Sequence, residues 1–327
     1  MRPTVDARRC HGVRRNALRW LGGVVVGLVL FVPGLGAAST PKPCSRGSLF
    51  VAAHADDPLL FMLPDLDHDI AAGRCVQVVI LTAGDLGLGQ GYWQSREAGL
   101  ANALAGLAGL PDHWRMRDAR IPGHPAPLYT LVGKPRLSLV FLRLPDGRSD
   151  GAGFLGRGSM RQLWEGAAPT LTSLAVSPPS TTYQPSTYTR TGLVDALHWL
   201  MAHDRPSKVG VQDYDGAIDG TGDHADHRAG AAFAVAAART YKGPGTLVGY
   251  FDYQILNDPP NVSGRDAARK QKAWFAYLPY DAQISGTCPD VPTCLSTGNW
   301  GNYWSRQYPI VPPIPIPIPP AALPRRG

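Results

Sequence analysis

Charged residues are scarce in this sequence of 327 residues, since Asp, Glu, Lys and Arg together make up 17% of it. The formal net charge of +7 is concentrated at one end, because residues 1–38 hold six arginines and one aspartate. The remaining 26 basic and 24 acidic residues nearly cancel and form no basic stripe, so we expect no nucleic-acid partner. Beyond residue 38 no apolar run is long enough to span a bilayer, and we expect no stable membrane span there.

The first 38 residues are predicted to be an export signal. The paired Arg14 and Arg15 precede an apolar stretch from Leu21 to Val32, and small residues follow up to Ala38, the order typical of secreted proteins. The arginine pair resembles a twin-arginine signal, although an ordinary Sec signal fits equally well and an uncleaved membrane anchor is the alternative. We predict cleavage near Ala38 and a periplasmic, cell-envelope or extracellular location.

Cysteine is also rare, with five in the chain and none in the Cys-x-x-Cys spacing of a cysteine-bound zinc site. Cys10 would leave with the export signal, so four would remain in an oxidising compartment. Cys44 and Cys75 each precede a strand-like run and would lie at one edge of a parallel sheet, while Cys288 and Cys294 flank a short loop. We predict disulfides within these two pairs; free buried thiols are the alternative.

Strand and helix patterns alternate through the first half of the chain. Apolar runs at Leu49–Ala53 and Val76–Thr82 predict buried strands, and a helical pattern follows each of them. The first helix should begin near Pro58, and the second should run from about Tyr92 to Leu107. We therefore predict an α/β fold, with a mostly parallel, Rossmann-like sheet and helices on both faces.

The middle and the end of the chain depart from this alternation. The segment "LYTLVGKPRLSLVFLRL" has turn residues between two apolar runs, which predicts an antiparallel excursion. Further along, "TLVGYFDYQI" predicts a last strand and Gly264–Tyr277 a last helix. Residues 309–327 are rich in proline, so we predict an extended polyproline II tail that cannot form a central strand. One globular domain should then span 39–308.

Polar side chains follow the predicted strands at the points where the strands end. His54, Asp56 and Asp57 come after the first strand, Asp85 follows the second, and Asp213 follows a later one. In open α/β sheets, ligands bind outside the carboxyl ends of the strands. The alternative for each aspartate is a cap on the next helix. The shared position favours a binding site at this edge.

A second cluster, "GDHADHRAG", opens a predicted helix. His224 and His227 are three residues apart and share a helix face, with Asp226 between them. One His and one Asp from the first cluster, with one His from the second, would leave an open fourth position, which is the pattern of catalytic zinc. Another divalent metal also suits these donors. Surface histidines are the alternative for this cluster alone, but the two clusters together predict a metal site.

The adjacent aspartates suggest the chemistry. Their side chains leave the backbone in different directions, so one can bind metal while the other faces a water molecule. A bound metal lowers the pKa of water to roughly 7, and the second carboxylate can take the proton. A further histidine can donate to the oxyanion that forms when water attacks a carbonyl. This arrangement predicts hydrolysis of an amide or ester.

At these two motifs the chain resembles the PIG-L (LmbE-like) family of zinc-dependent N-acetylglucosaminyl deacetylases. The family pattern "AHPDDE" corresponds to "AHADDP" (53–58), and its later "HxDH" corresponds to "HADH" (224–227). The resemblance runs from about residue 48 to residue 280. It implies an LmbE-like three-layer fold, one zinc ion per chain, and removal of an N-acetyl or related acyl group from an amino sugar or glycoconjugate.

The resemblance also implies roles for individual residues. His54, Asp57 and His227 correspond to the metal ligands. Asp56 corresponds to the general base. His224 corresponds to the histidine that stabilises the oxyanion or acts as an acid.

The remaining assignments concern supporting residues and departures from the pattern. Asp226 would orient a histidine from outside the metal ligands. Arg96 corresponds to an arginine that holds the sugar, with a surface charge as its alternative, and Asp85 in "LTAGD" is assigned to substrate binding as well. Ala55 replaces the usual proline and Pro58 the usual acid, and the second change removes a contact that would brace the site.

Two other functions compete with this hypothesis. A metal phosphoesterase of the DHH type has superficially similar motifs, but it would need further aspartates for two metals. A non-catalytic carbohydrate-binding relative would use exposed aromatic residues, for which Trp300, Tyr303 and Trp304 are candidates.

Overall fold

A mostly parallel sheet of eight strands forms the centre of the described chain, and two short strands pair separately. The structure is a computed structural model that describes residues 46–179, 183–216, 222–243, 245–296, 300–310 and 314–316. The strands are β1 (Ser48–Ala52), β2 (Val76–Thr82), β3 (Trp114–Asp118), β4 (Pro127–Leu131), β5 (Leu137–Leu144), β6 (Leu171–Thr172), β7 (Thr187–Tyr188), β8 (Lys208–Gln212), β9 (Gly245–Tyr250) and β10 (Ile314–Ile316).

The strand order across the large sheet is β10-β9-β8-β1-β2-β5-β4-β3. Strands β9, β8, β1, β2 and β5 are parallel, so their carboxyl ends meet at one edge. β4 and β3 continue the sheet in antiparallel fashion beyond β5. The predicted α/β class and the antiparallel excursion are therefore confirmed.

Helices cover both faces of the sheet. They are α1 (Asp57–Leu60), α2 (Asp65–Ala71), α3 (Gln90–Leu107), α4 (Met160–Glu165), α5 (Arg190–Asp204), α6 (Ala225–Thr240), α7 (Gly264–Tyr277) and α8 (Val291–Ser296). Because strand side chains alternate, Leu49 and Val51 of β1 pack with α4, α5 and α6, whereas Phe50 and Ala52 pack with α1, α2, α3 and α7. Two apolar layers thus fix the sheet between helices.

The helix predicted to begin near Pro58 is short, and the predicted last strand ends early. The helix near Pro58 ends after one turn, and a new helix starts at Asp65, because Pro64 between them has no N–H to continue the ladder. The predicted last strand stops at Tyr250, and a 3-10 turn at Tyr253–Asn257 replaces its second half. Asp252 lies in this break, at the carboxyl edge of the sheet.

The proline-rich tail is not purely polyproline II. Residues 314–316 form β10, which pairs with β9 in antiparallel fashion. An edge position tolerates this pairing because Pro315 needs no donor on the open side. Ile310 also donates its backbone N–H to Gly249 O at 2.7 Å, so the chain before β10 already runs beside β9.

The aromatic residues near the C-terminus belong to the core. Tyr303 and Trp304 are 4% and 5% exposed. Trp300 stacks on Trp274 with ring centroids 5.3 Å apart. The expectation that these residues form an exposed sugar-binding surface is therefore wrong, because their apolar faces are used in packing.

The Cys288–Cys294 disulfide is present as predicted. Cys75 is disulfide-bonded, but Cys44 lies outside the described residues, so that pairing stays a prediction. The predicted export signal, residues 1–38, also lies outside them. In the part of the chain that the structure describes, no helix is long and apolar enough to cross a membrane.

Candidate active site

The loop after β1 turns sharply into α1 and carries the first cluster. The backbone N–H of His54 donates to Asp57 Oδ2 at 2.6 Å, which closes the loop. Asp57 is the first residue of α1, and Pro58 follows it, where a missing N–H is tolerated. His54, Asp56 and Asp57 are all at least 95% buried.

The second cluster begins α6. His224 is the N-cap, and its Nδ1 accepts from the backbone N–H of Asp226 at 3.2 Å. One helical turn later His227 points the same way and is fully buried. Since β1 lies between β2 and β8, α6 packs over β1 and β8 and brings this cluster to the first one.

The structure brings His54, Asp57 and His227 into mutual contact. His54 Nδ1 lies 3.2 Å from His227 Nε2 and 3.4 Å from Asp57 Oδ2. His227 Nε2 lies 3.2 Å from Asp57 Oδ1. Tetrahedral zinc with bonds of about 2.0–2.1 Å separates its ligand atoms by roughly 3.3–3.4 Å. Each of these pairwise distances suits two ligands of one ion, with His54 and His227 approaching different oxygens of Asp57.

The hydrogen bonds on the far side of each ring decide which nitrogen is free. His227 Nδ1 lies 3.0 Å from Asp223 Oδ1, so it carries the proton and Nε2 has the lone pair. His54 Nε2 lies 3.4 Å from Asp226 Oδ2, so Nδ1 has the lone pair. Two lone pairs thus face each other, and Asp57 Oδ1, a buried oxygen without a hydrogen-bond partner, lies 3.2 Å from the one on His227 Nε2. A cation is the group that satisfies all three atoms.

The charges around these rings favour the same conclusion. Burial by itself lowers the pKa of His54, but Asp57 and Asp226 raise it to about 10. Burial likewise opposes the charge of His227, while Asp57, Asp223 and nearby acids hold its pKa well above the usual value. The carboxylates therefore stabilise a positive charge at this point, and a divalent metal supplies that charge while both rings stay neutral.

Two residues that the sequence reasoning missed support His227. Asp223 accepts from His227 Nδ1 and also from the backbone N–H of His224 at 2.7 Å. Asp252 Oδ2 lies 3.9 Å from the same ring nitrogen, and Gln212 Nε2 donates to its other oxygen at 3.1 Å. Burial and the neighbouring Asp223 raise the pKa of Asp252 well above its usual range.

Asp226 contacts His54 through its Oδ2, and its role of orienting that histidine stays a prediction that this contact favours. Its Oδ2 also accepts from the backbone N–H of Gly147 at 2.7 Å, so the loop after β5 is attached to the site. Asp146, in that loop, lies within 4.8 Å of His54, His224 and Asp226 by its carboxylate. The sequence reasoning did not select Asp146, although it follows a strand end like the others.

Asp56 offers a carboxylate oxygen within 4.8 Å of ligand atoms of His54 and Asp57, and it also pairs with Arg96. Arg96 Nη2 donates to Asp56 Oδ1 at 2.6 Å, and Nη1 donates to Gly84 O at 2.7 Å. Its Nε lies 2.8 Å from Tyr277 OH and 2.9 Å from Asp281 Oδ2. Arg96 is 6% exposed, so it is not a surface charge. These contacts position Asp56, and a contact of Arg96 with substrate stays a prediction.

His224 borders the converging atoms without belonging to them. Its ring meets that of His54 edge-on, with centroids 4.6 Å apart. Burial and the charge of His54 lower its pKa to about 3, so the ring is neutral. His54, His224 and His227 also form a nitrogen set within 4.8 Å. Because Nδ1 of His224 accepts a backbone N–H, its Nε2 carries the proton and suits a donor better than a ligand.

Asp85 and Asp213 have partners of their own. Asp85 is fully buried and accepts from the backbone N–H of Asp146 at 3.0 Å and from Arg157 Nη1 at 2.7 Å. It braces the loop after β5, and its assignment to substrate binding stays a prediction that these contacts do not favour. Asp213 pairs with Arg228 of α6. Both residues thus stabilise the rim of the site.

The α/β sheet and the buried His–Asp set at its carboxyl edge define a metal-dependent hydrolase. The family model PIG-L, described as GlcNAc-PI de-N-acetylase, matches residues 49–238. This is more than half of the chain, and both motifs lie within it. The chain belongs to the PIG-L family and is a metal-dependent N-deacetylase.

Solved structures with a similar fold include three named enzymes. A zinc-inhibited form of teicoplanin deacetylase is 13% identical and has a TM-score of 0.45, with 77% of this chain and 90% of that chain covered. N,N'-diacetylchitobiose deacetylase from Pyrococcus horikoshii is 14% identical, with a TM-score of 0.43 and coverage of 74% and 73%. A 4-carboxy-2-hydroxymuconate hydratase from Pseudomonas putida is 13% identical, with a TM-score of 0.39 and coverage of 77% and 89%. Comparison with curated proteins gives no match.

Proposed function

We propose that the chain is an exported, zinc-dependent hydrolase that removes an N-acetyl or related acyl group from an amino sugar or glycoconjugate. The observation that carries the proposal is the convergence of two imidazole lone pairs and an unpartnered carboxylate oxygen at His54, His227 and Asp57. Zinc suits this mixed nitrogen and oxygen set, although another divalent metal would fit it as well.

The reaction steps follow from the surrounding residues. Zinc held by the three ligands would polarise the amide carbonyl and lower the pKa of the attacking water. Asp56 takes the proton from that water as the new C–O bond forms, since its second oxygen is not used by Arg96. His224 donates its Nε2–H to the developing oxyanion. The C–N bond then breaks, the amine receives the proton from Asp56, and a carboxylate such as acetate leaves.

In this scheme Arg96 positions Asp56, the base, and shifts its pKa. Burial raises the pKa of Asp56, and the charge of Arg96 opposes that rise. A carboxylate held between these two influences can accept a proton near neutral pH and release it again. Asp281 also contacts Arg96, through its Nε, and helps to hold the guanidinium beside Asp56.

The substrate class and the location rest on different support. An amino-sugar substrate agrees with the family description, a GlcNAc-PI de-N-acetylase. Export is supported by the charge and hydropathy pattern of residues 1–38, which lie outside the described residues.

Acetate release from a panel of N-acetylated sugars and cell-envelope glycans tests the proposal. Zinc-loaded protein should release acetate, Asp56→Asn should abolish release while retaining the metal, and His227→Ala should lose both. Asp195→Asn, an exposed change on α5, is the matched control and should behave as the wild type. Acetate release that survives both active-site changes would eliminate the proposed mechanism.

A further inference from the structure

A cavity lies at the amino-terminal edge of the sheet, the edge opposite the metal site. It has a volume of about 200 Å³ and lies between the first residues of β1 and β2, the β3–β4 pair and the last turn of α5. Its polar lining includes Gln77, Ser138, Arg117 and Asp204, and its walls include Trp199 and His203. Since β2 is seven residues long, roughly 20 Å of strand separates this cavity from the catalytic edge.

Gln77 is the residue that marks the cavity as more than a packing defect. It is the only polar residue among the first six of β2, "VQVVIL", all of which are buried. It is 7% exposed, and its Oε1 has no hydrogen-bond partner. Its Nε2 has only a long contact, 3.4 Å, with Ser138 Oγ. Leaving a buried amide unpaired lowers the stability of the fold, so a bound group that pairs with Gln77 would explain its presence.

The size of the cavity limits the ligand. A cavity of about 150 Å³ holds a benzene-sized ring, and pockets for drug-sized ligands begin near 300 Å³. A volume of about 200 Å³ therefore suits one six-membered ring with substituents.

The chemistry of the walls selects the kind of ring. Trp199 stacks on His203, with ring centroids 4.8 Å apart and planes 9° apart, so two parallel rings contribute to one wall. Asp204 and Gln77 offer oxygen acceptors, and Arg117 is an exposed guanidinium that offers donors. Hydroxyl groups both donate and accept, so they can pair with all three groups.

We propose that this cavity binds a single pyranose ring of a saccharide. None of its residues belongs to the metal site, so the proposal does not depend on the deacetylase assignment. It gives the protein a second saccharide site on the opposite edge of the same sheet.

Fluorine NMR of protein labelled with 5-fluorotryptophan tests the proposal. The probes are methyl β-glucoside and N-acetylglucosamine, with glycerol at matched concentration as the control solute. Trp199→Phe assigns the Trp199 resonance, and Trp164, which packs on Phe233 away from the cavity, is the internal reference. We expect a saturable shift of Trp199 with at least one pyranoside, no shift of Trp164, and no saturable shift with glycerol.

Variants separate this site from the catalytic one. Gln77→Leu should weaken the sugar affinity, measured from the Trp199 shift, at least tenfold. It should keep or raise the urea midpoint of unfolding and leave acetate release from a small substrate unchanged. His227→Ala should leave the Trp199 response intact. The proposal is overturned if the shift is absent or shared by glycerol, if Gln77→Leu binds as tightly as the wild type, or if Gln77→Leu destabilises the fold. Crystals soaked in either sugar that show only water in the cavity would also overturn it.

Discussion

Removal of the Asp223 carboxylate should weaken metal binding, although Asp223 touches no reacting atom. Asp223 Oδ1 holds His227 Nδ1 at 3.0 Å and so fixes the tautomer that presents Nε2. Loss of such a partner typically costs 10–100-fold in metal affinity, or about 1.4–2.7 kcal/mol. Asp252 Oδ2 lies 3.9 Å from the same nitrogen, so in Asp223→Ala it can partly replace the lost acceptor. We therefore expect a loss of metal affinity at the lower end of this range, about tenfold.

Chelator competition monitored by zinc content measures this loss. Asp223→Asn keeps an oxygen acceptor in place, so it should lose less zinc affinity than Asp223→Ala. The double variant Asp223→Ala with Asp252→Asn should lose more zinc affinity than either single variant. Asp195→Asn is the matched control, and circular dichroism checks that each variant is folded. Affinity within twofold of the wild type for the folded Asp223→Ala variant would refute the reasoning.

Two further predictions concern stability. Burial raises the pKa of Asp204 to about 7, although Arg117 opposes this rise, so the folded state holds a proton that the unfolded state releases near pH 4. The free energy of unfolding should therefore fall as pH rises from 4 to 7, and Asp204→Asn should flatten that dependence. Because Asp204 is partly exposed, we expect its contribution to be about 1–2 kcal/mol. Urea unfolding at pH 4.5 and 8 measures it. Glu97 accepts two hydrogen bonds of 2.7 Å from Arg143 inside the protein, so Glu97→Gln should lower the free energy of unfolding by about 3–5 kcal/mol. An unchanged urea midpoint for Glu97→Gln would contradict this estimate.

Apolar runs and turn residues predict the parallel strands and the antiparallel excursion. The strand ends predict that the two polar clusters share one edge of the sheet. The choice of His54, Asp57 and His227 within those clusters was predictable only through the resemblance to the PIG-L family. Their tautomers were not predictable, because these depend on hydrogen bonds to distant parts of the chain.

The supporting acids could have been found only in part. Asp223 is four residues before His227, a spacing that places the two side chains together at a helix start. Asp252 lay hidden inside a segment predicted as continuous strand. The burial of Arg96 and Trp304 was not predictable from the sequence. Neither charge nor aromatic character reveals burial when the contacting residues, such as Asp281, come from remote segments.

The anomalous signal of a zinc-soaked crystal, recorded at the zinc absorption edge, tests the central claim most directly. We expect one peak per chain, about 2.0–2.2 Å from His54 Nδ1, His227 Nε2 and a carboxylate oxygen of Asp57. A peak elsewhere, or none at these three atoms in protein that releases acetate, would contradict it.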